Sequence, residues 1–223
     1  MARLARIVAA RVPHLVMQRG NRRQKVFFSD EDYKTYIDLV AAGCREAKVD
    51  VWAYCLLPRQ VHLLLVPSDA DGLRAALGEA HRRYTRAVNL RKHWRGYLWQ
   101  GRFASFPVDE NWLLACAQYV ELAPVRTGLV GRARDWRWSS ARAHLAARDD
   151  ELVRIAPLHE RAGVWKSLLA EGLDKKLRDK IESHERTGRP LGSDTFIRGL
   201  EKRLGRTLAR QKPGPKPKKK RSR

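Results

Sequence analysis

Two short stretches carry side chains that can do chemistry. In Gln60-Val-His62 an amide and an imidazole lie two residues apart, so on a strand they share one face, with Val61 and Leu63 on the other. In Asp109–Val130 a helical pattern carries Tyr119, a phenol. A phenol has a reference pKa of about 10 and attacks at neutral pH only where its surroundings promote it. Each group also has a plainer use. Tyr119 can pack its ring at a helix edge with its hydroxyl in water, and His62 can be a hydrogen-bonded structural histidine. Arginines flank both stretches. Arg126 follows the Tyr119 helix, and the loop Arg19-Gly-Asn-Arg-Arg23 sets Arg19, Arg22 and Arg23 beside successive amides. Such a loop holds phosphate or is simply solvated.

The elements that must position these groups follow from periodicity. Val12–Gln18 reads as a first strand, and Ser29 with Asp32 resembles a capping box. The helix it opens has Tyr33, Tyr36, Ile37, Val40 and Cys44 as its stripe, with Gly43 weakening the last turn. Val49–Leu56 and Gln60–Val66 read as strands, and the short Leu57-Pro58-Arg59 link makes them an antiparallel pair. Asp71–Leu90 is a helix with Leu73, Leu77, Ala80, Tyr84 and Val88 inward, and Arg82, Arg83 and Arg86 around the rest. Those arginines either track a nucleic-acid backbone or simply solvate the helix. Arg95–Val108 mixes aromatics with glycine and arginine, Arg102 among them. It fits a strand or hairpin, its rings stacking on unpaired bases or packing in the core. Asp109 caps the next helix, Leu113, Cys116, Ala117 and Val120 form its buried stripe, and Tyr119 flanks it with Trp112, Ala115 and Ala123. Pro124 is expected to stop that helix. Trp136–Ser140 begins another segment, and helical patterns recur at Val164–Ala170, Leu173–Glu185 and Ser193–Leu208. These last are a DNA-reading appendage or helices packed on the main sheet.

A formal charge of +22 on 223 residues narrows the partner. Arg210–Arg223 holds eight basic residues and no acid, leaving +14 (22 less 8) on the other 209 residues. The folded part is itself basic and calls for a polyanion. No apolar run is long enough to span a bilayer, and no strongly amphipathic basic helix suggests one lying on it. Cys44, Cys55 and Cys116 are odd in number, with no metal-type spacing, and read as reduced core residues of a cytosolic protein. The first 28 residues lack acids, as a transit peptide would, but are poor in serine and lead straight into strand-like sequence. Pro213–Arg221 reads as a disordered basic tail.

The order HLVMQRGNRRQ, AYCLLPRQVHLLL, GYLWQGRFASFPV, YVELAPVRTGLV and WRWSS, over roughly residues 11–145, resembles the REP-associated tyrosine transposases. These form a single-tyrosine branch of the HUH transposases; RTGRPLGSDTFIRGLEKRLGR is similar to their C-terminal part. The resemblance implies an α+β fold, a ferredoxin-like antiparallel sheet with helices packed on it. It implies a division into a transposase-like domain (1–145), a helical region (146–210) and a basic tail (211–223). By position Tyr119 would attack a phosphate of single-stranded or hairpin DNA, forming a 5′-phosphotyrosine and freeing a 3′-hydroxyl. His62 and Gln60 would hold Mg²⁺ or Mn²⁺, with Arg19, Arg22, Arg23, Arg82, Arg83, Arg86, Arg102 and Arg126 on the nucleic acid. Gln60 stands where the family has its first motif histidine, and Ala123 where it has a polar ligand. The depleted metal site leaves two functions open: a nickase and strand transferase, or a catalytically inactive nucleic-acid binder. RNA is a third partner that charge alone does not separate from DNA. A cytoplasmic, nucleoid-associated protein is expected, and a homodimer is compatible with the family.

Overall fold

A computed structural model describes residues 6–209. Its chain runs β1 (His14–Arg19), α1 (Asp30–Glu46), β2 (Val49–Leu57), β3 (Gln60–Pro67), α2 (Gly72–Lys92) and β4 (Ala104–Pro107). The four strands form one antiparallel sheet in the order β2-β3-β1-β4. This is the βαββαβ, ferredoxin-like arrangement expected, with further helices after it. The remaining helices are α3 (Glu110–Glu121), α4 (Ala123–Arg126), α5 (Ala141–Leu145), α6 (Ala156–Ala162), α7 (Trp165–Glu171), α8 (Lys175–Thr187) and α9 (Asp194–Leu204).

Side-chain alternation divides the core into two layers. Val16, Val61, Leu63 and Leu65 face α1 and α2, whereas Leu15, Met17 and Leu64 face α3. In β2 the alternation reverses along the strand. Val49 and Val51 face the α1–α2 layer, but after a bulge between Val51 and Ala53 it is Tyr54 and Leu56 that do so. Ala53, Cys55 and Leu57 are thereby turned toward α3. Both sheet edges are covered. Leu56 N–H donates to the Trp138 carbonyl (2.8 Å) and Ser140 N–H to that of Tyr54 (3.0 Å), while Leu191 N–H donates to the Pro107 carbonyl (2.8 Å) beyond β4.

Both early helices form as their stripes require. The Asp32 carboxylate accepts from the Phe28 and Ser29 amides (2.7 and 3.2 Å) at the start of α1. Gly43 has a different role from the one expected. A Cβ there would lie 2.5 Å from the Ala76 carbonyl oxygen, so at this point the α1 backbone lies directly against that of α2. Gly43→Ala is therefore expected to destabilise by about 1–3 kcal/mol through overpacking, despite its better helix propensity. Chemical denaturation checks this, and a stabilised variant would refute the close-packing role.

Arg95–Val108 contains only the short strand β4, and Leu98, Trp99, Phe103 and Phe106 pack in the core. α3 ends at Glu121, and Pro124 lies in the first turn of α4, where its missing N–H costs no hydrogen bond. The later helices pack on the sheet. Leu158, Trp165, Ile181 and Leu191 share a cluster with Tyr119 and Leu113. α9 instead covers Ile7 and Ala9 with Leu200. Asp109 links these parts: it accepts from the Glu110 amide (2.9 Å) at the start of α3 and from the Ser193 amide and hydroxyl (both 2.9 Å) before α9. The three cysteines are buried and unpaired. The tail at 211–223 lies outside the described residues.

Candidate active site

The β3 register turns His62 toward the α3 layer, and α3 brings Tyr119 over it. The two ring centroids are 5.5 Å apart at 46°. Both groups come from one chain, so the pairing is complete in a single copy. His62 is 2% exposed, and neither ring nitrogen has a hydrogen-bond partner. It is therefore not the satisfied structural histidine that the sequence left open. Burial, reinforced by the Arg126 and Arg19 charges, lowers its pKa to about 3 and keeps the imidazole neutral.

Arg126, one turn beyond α3, lies over the Tyr119 ring at 4.1 Å and donates to its carbonyl (3.1 Å). A partly desolvated guanidinium on an aromatic face contributes about 0.5–2 kcal/mol. Burial pushes the Tyr119 phenol up to about 12; Arg126 opposes the rise, Glu185 and Glu182 add to it, and Arg19 opposes it.

Arg19 ends β1 opposite Gln60 in the ladder. Its Nε donates to Gln60 Oε1 (3.3 Å) and its terminal nitrogen pairs with buried Glu185 of α8 (2.7 Å). Burial raises the Glu185 carboxyl, with Arg19 pulling the other way. A cleft of about 380 Å³ runs between Tyr119, Arg126 and Thr127 on one side and Arg178 and Arg186 on the other. Arg19 also lines a cleft containing Arg102 and another containing Arg23 and Arg59. Together these form a groove rich in guanidinium groups across the α3 face of the sheet.

Arg19, Gln60, His62, Tyr119 and Arg126 thus converge, with Arg23 and Arg102 at the flanks. Arg22 is exposed in the turn after β1 with a left-handed φ of 51°, outside these clefts. Arg82, Arg83 and Arg86 are not brought to this face. They belong to α2, whose buried side packs in the opposite layer, and Arg82 is paired with Glu79 (2.6 Å). Arg59, Arg178 and Arg186 were not anticipated. Only Arg59, directly before Gln60 in a turn, carried a signal.

The side chains do not fit a divalent cation. The Gln60 carbonyl oxygen is occupied by an Arg19 N–H, and Ala123 is buried without a donor atom. Two guanidinium groups add to the burial that depresses the His62 imidazole. Among the described residues no group of three or more histidine, cysteine or acidic side chains could hold a metal. One buried imidazole among positive charges is a poor substitute for the oxygen-rich shell that Mg²⁺ demands.

The βαββαβ sheet thus brings a tyrosine and a strand histidine together beside clefts lined with arginines. Residues 8–122, just over half the chain, match the family described as transposase, IS200-like, and the chain belongs to that family. It is similar in fold to a REP-associated tyrosine transposase bound to a REP hairpin. The identity is 19%, covering 68% of this chain and 90% of that one, with a TM-score of 0.58. A candidate transposase from Deinococcus radiodurans R1 aligns at 25% identity over 54% of this chain and 96% of that one, with a TM-score of 0.39. No curated protein matches the chain. No helix among the described residues is long and apolar enough to cross a membrane.

Proposed function

We propose that this chain binds single-stranded DNA carrying a hairpin and cuts and rejoins it through Tyr119. The observation that carries this reading is the 5.5 Å approach of the Tyr119 and His62 rings beside Arg126 and Arg19. The phenolic oxygen attacks the phosphorus and bonds to it, and the bond to the 3′-oxygen breaks. That oxygen leaves as a 3′-hydroxyl after taking a proton. The reverse step restores the phosphodiester and frees the tyrosine. Neutral His62, with both nitrogens unpartnered, is the nearby acceptor for the phenolic proton. Burial is the larger cause of the low imidazole pKa, and a phosphate held by Arg19 and Arg126 offsets only the smaller part that those two charges contribute. Substrate binding brings donors to the charge that builds on the phosphoryl oxygens. With the Tyr119 phenol pushed up to about 12 by burial, the phenolate is scarce before substrate binds. The reading places the protein in the cytoplasm at the nucleoid, and a homodimer is not required to assemble the site.

The test is a labelled hairpin with single-stranded flanks, with and without Mg²⁺ or Mn²⁺. A covalent protein–DNA adduct is expected with Tyr119 and none with Tyr119→Phe. An adduct surviving in Tyr119→Phe refutes the assignment. The second reading, a non-catalytic binder, is favoured by the donor set that does not suit a metal. It is the outcome if hairpin affinity is retained and no adduct forms in any buffer.

A further inference from the structure

A large cleft adjoins the Tyr119 site without belonging to it. It measures about 1240 Å³, lies between α4, α5 and α7, and reaches the segment 131–135. Arg126 and Arg178 line both this cleft and the one beside Tyr119, so the two share a wall. Its cations are Arg126, Arg132, Arg134, Arg142, Lys166 and Arg178, and Asp135 is the acid among its lining residues. That carboxylate is already met by Arg132 (2.9 Å) and Arg134 (3.9 Å). Between the cations Leu122, Val125, Leu145 and Leu169 line the cleft.

We infer that this cleft holds the unpaired DNA strand leading away from the phosphate at Tyr119. The inference rests on the DNA-binding reading of the Tyr119 site and adds the path of the strand. Its volume exceeds the roughly 300–1,000 Å³ of a small-ligand pocket, which suits a length of polymer. A duplex turns phosphates outward and hides its base faces, so it has no use for an apolar wall between cations. An unpaired strand exposes both. Its phosphates meet the guanidinium groups while its bases pack on leucine and valine side chains. The chain's own basic end, Arg210–Arg223, has the wrong sign to fill the cleft.

The experiment compares a blunt DNA hairpin with the same hairpin carrying a flank of about six unpaired nucleotides, by fluorescence anisotropy across a salt series. Each phosphate contact on a single strand steepens the slope of log K against log salt by about 0.7. Three flank contacts therefore make the wild-type slope steeper by about 2 for the flanked hairpin. In Arg132→Ala/Arg134→Ala/Lys166→Ala that difference between the two DNAs collapses. A thermal melt checks the fold, and if the triple variant is unfolded, Lys166→Ala alone reduces the difference by about 0.7. A difference that persists in the variants, or is absent from the wild type, overturns the inference. So does an equal gain from a duplex flank, or tighter binding of an RNA flank of the same sequence. Failure of the DNA-binding reading itself looks different: neither hairpin then binds in a salt-dependent way.

Discussion

Acidification from pH 7 to pH 4 is expected to remove about 3 kcal/mol or more of folding stability through buried histidines. One source is His14, on β1 and fully buried. Its Nδ1 donates to the Val12 carbonyl (2.7 Å), which leaves Nε2 to accept from the Ala9 amide (3.2 Å). Protonation would put an N–H against an N–H. Burial, only partly offset by the Val12 bond, lowers the His14 pKa to about 4. The unfolded chain, with a value near 6.5, therefore binds the proton first. The stabilisation is complete above about pH 6.5, is lost as pH falls toward 4, and does not fall further through this group below that. A gap of about 2.5 units corresponds to roughly 3 kcal/mol. His62 and His81 add to the loss, since burial and nearby arginines lower each to about 3. His81 is only half-buried, so its contribution is the smaller of the two. Denaturation midpoints at several pH values would give the slope, and His14→Asn should flatten it by up to one proton between pH 4 and 6.5. An unchanged slope in that variant would sink the assignment.

Much of this framework is legible in the sequence, for definite reasons. The stripes of α1 and α2 and the tight β2–β3 link are local signals, so element type, antiparallel pairing and the shared face of Gln60 and His62 follow from spacing. The α2 arginines show where local reasoning fails. Arg82, Arg83 and Arg86 are exposed as expected, but exposure does not say on which side of the sheet a helix lies. The handedness of connections between parallel strands does: β1-α1-β2 and β3-α2-β4 both cross on one side, leaving the other to α3. The bulge in β2 is invisible for another reason. Val51, Trp52 and Ala53 are all apolar enough to face inward, so no polar residue marks the reversal. Around Tyr119, the residues contributed by β1, β3, α3 and α4 were identifiable. Glu182, Glu185, Arg178 and Arg186 were not, because α8 docks through tertiary contacts that its own periodicity does not encode. That docking packs α6, α7 and α8 on the α3 layer of the sheet, while α9 packs on Ile7 and Ala9.

Glu121→Ala is expected to destabilise the protein by about 3–5 kcal/mol, although Glu121 is not in the cleft. It lies two residues after Tyr119 and is fully buried. Its Oε1 accepts from the Ser140 hydroxyl (2.5 Å) and from His144 Nδ1 (2.6 Å), and its Oε2 accepts from Trp165 Nε1 (2.9 Å). His144 also stacks on Trp165 with centroids 4.1 Å apart. One carboxylate therefore ties α3 to α5 and α7. Its removal leaves Trp165 Nε1 without an acceptor and Ser140 and His144 with only longer contacts to backbone carbonyls (3.3 Å each), as well as a cavity. At about 2–4 °C per kcal/mol for a chain of this size, the melting temperature falls by about 6–20 °C. Glu121→Gln retains the shape and one carbonyl oxygen but presents an NH₂ where a donor already points, so its loss is intermediate. A change below about 0.5 kcal/mol in Glu121→Ala would mean that packing alone orients α3. The ordering of the two variants separates the causes. A purely steric role predicts that Glu121→Gln is nearly neutral, whereas a role as acceptor predicts that it recovers only part of what Glu121→Ala loses. Because Tyr119 and Glu121 share one rigid helix, the second outcome makes this carboxylate the anchor that fixes where the phenol meets His62.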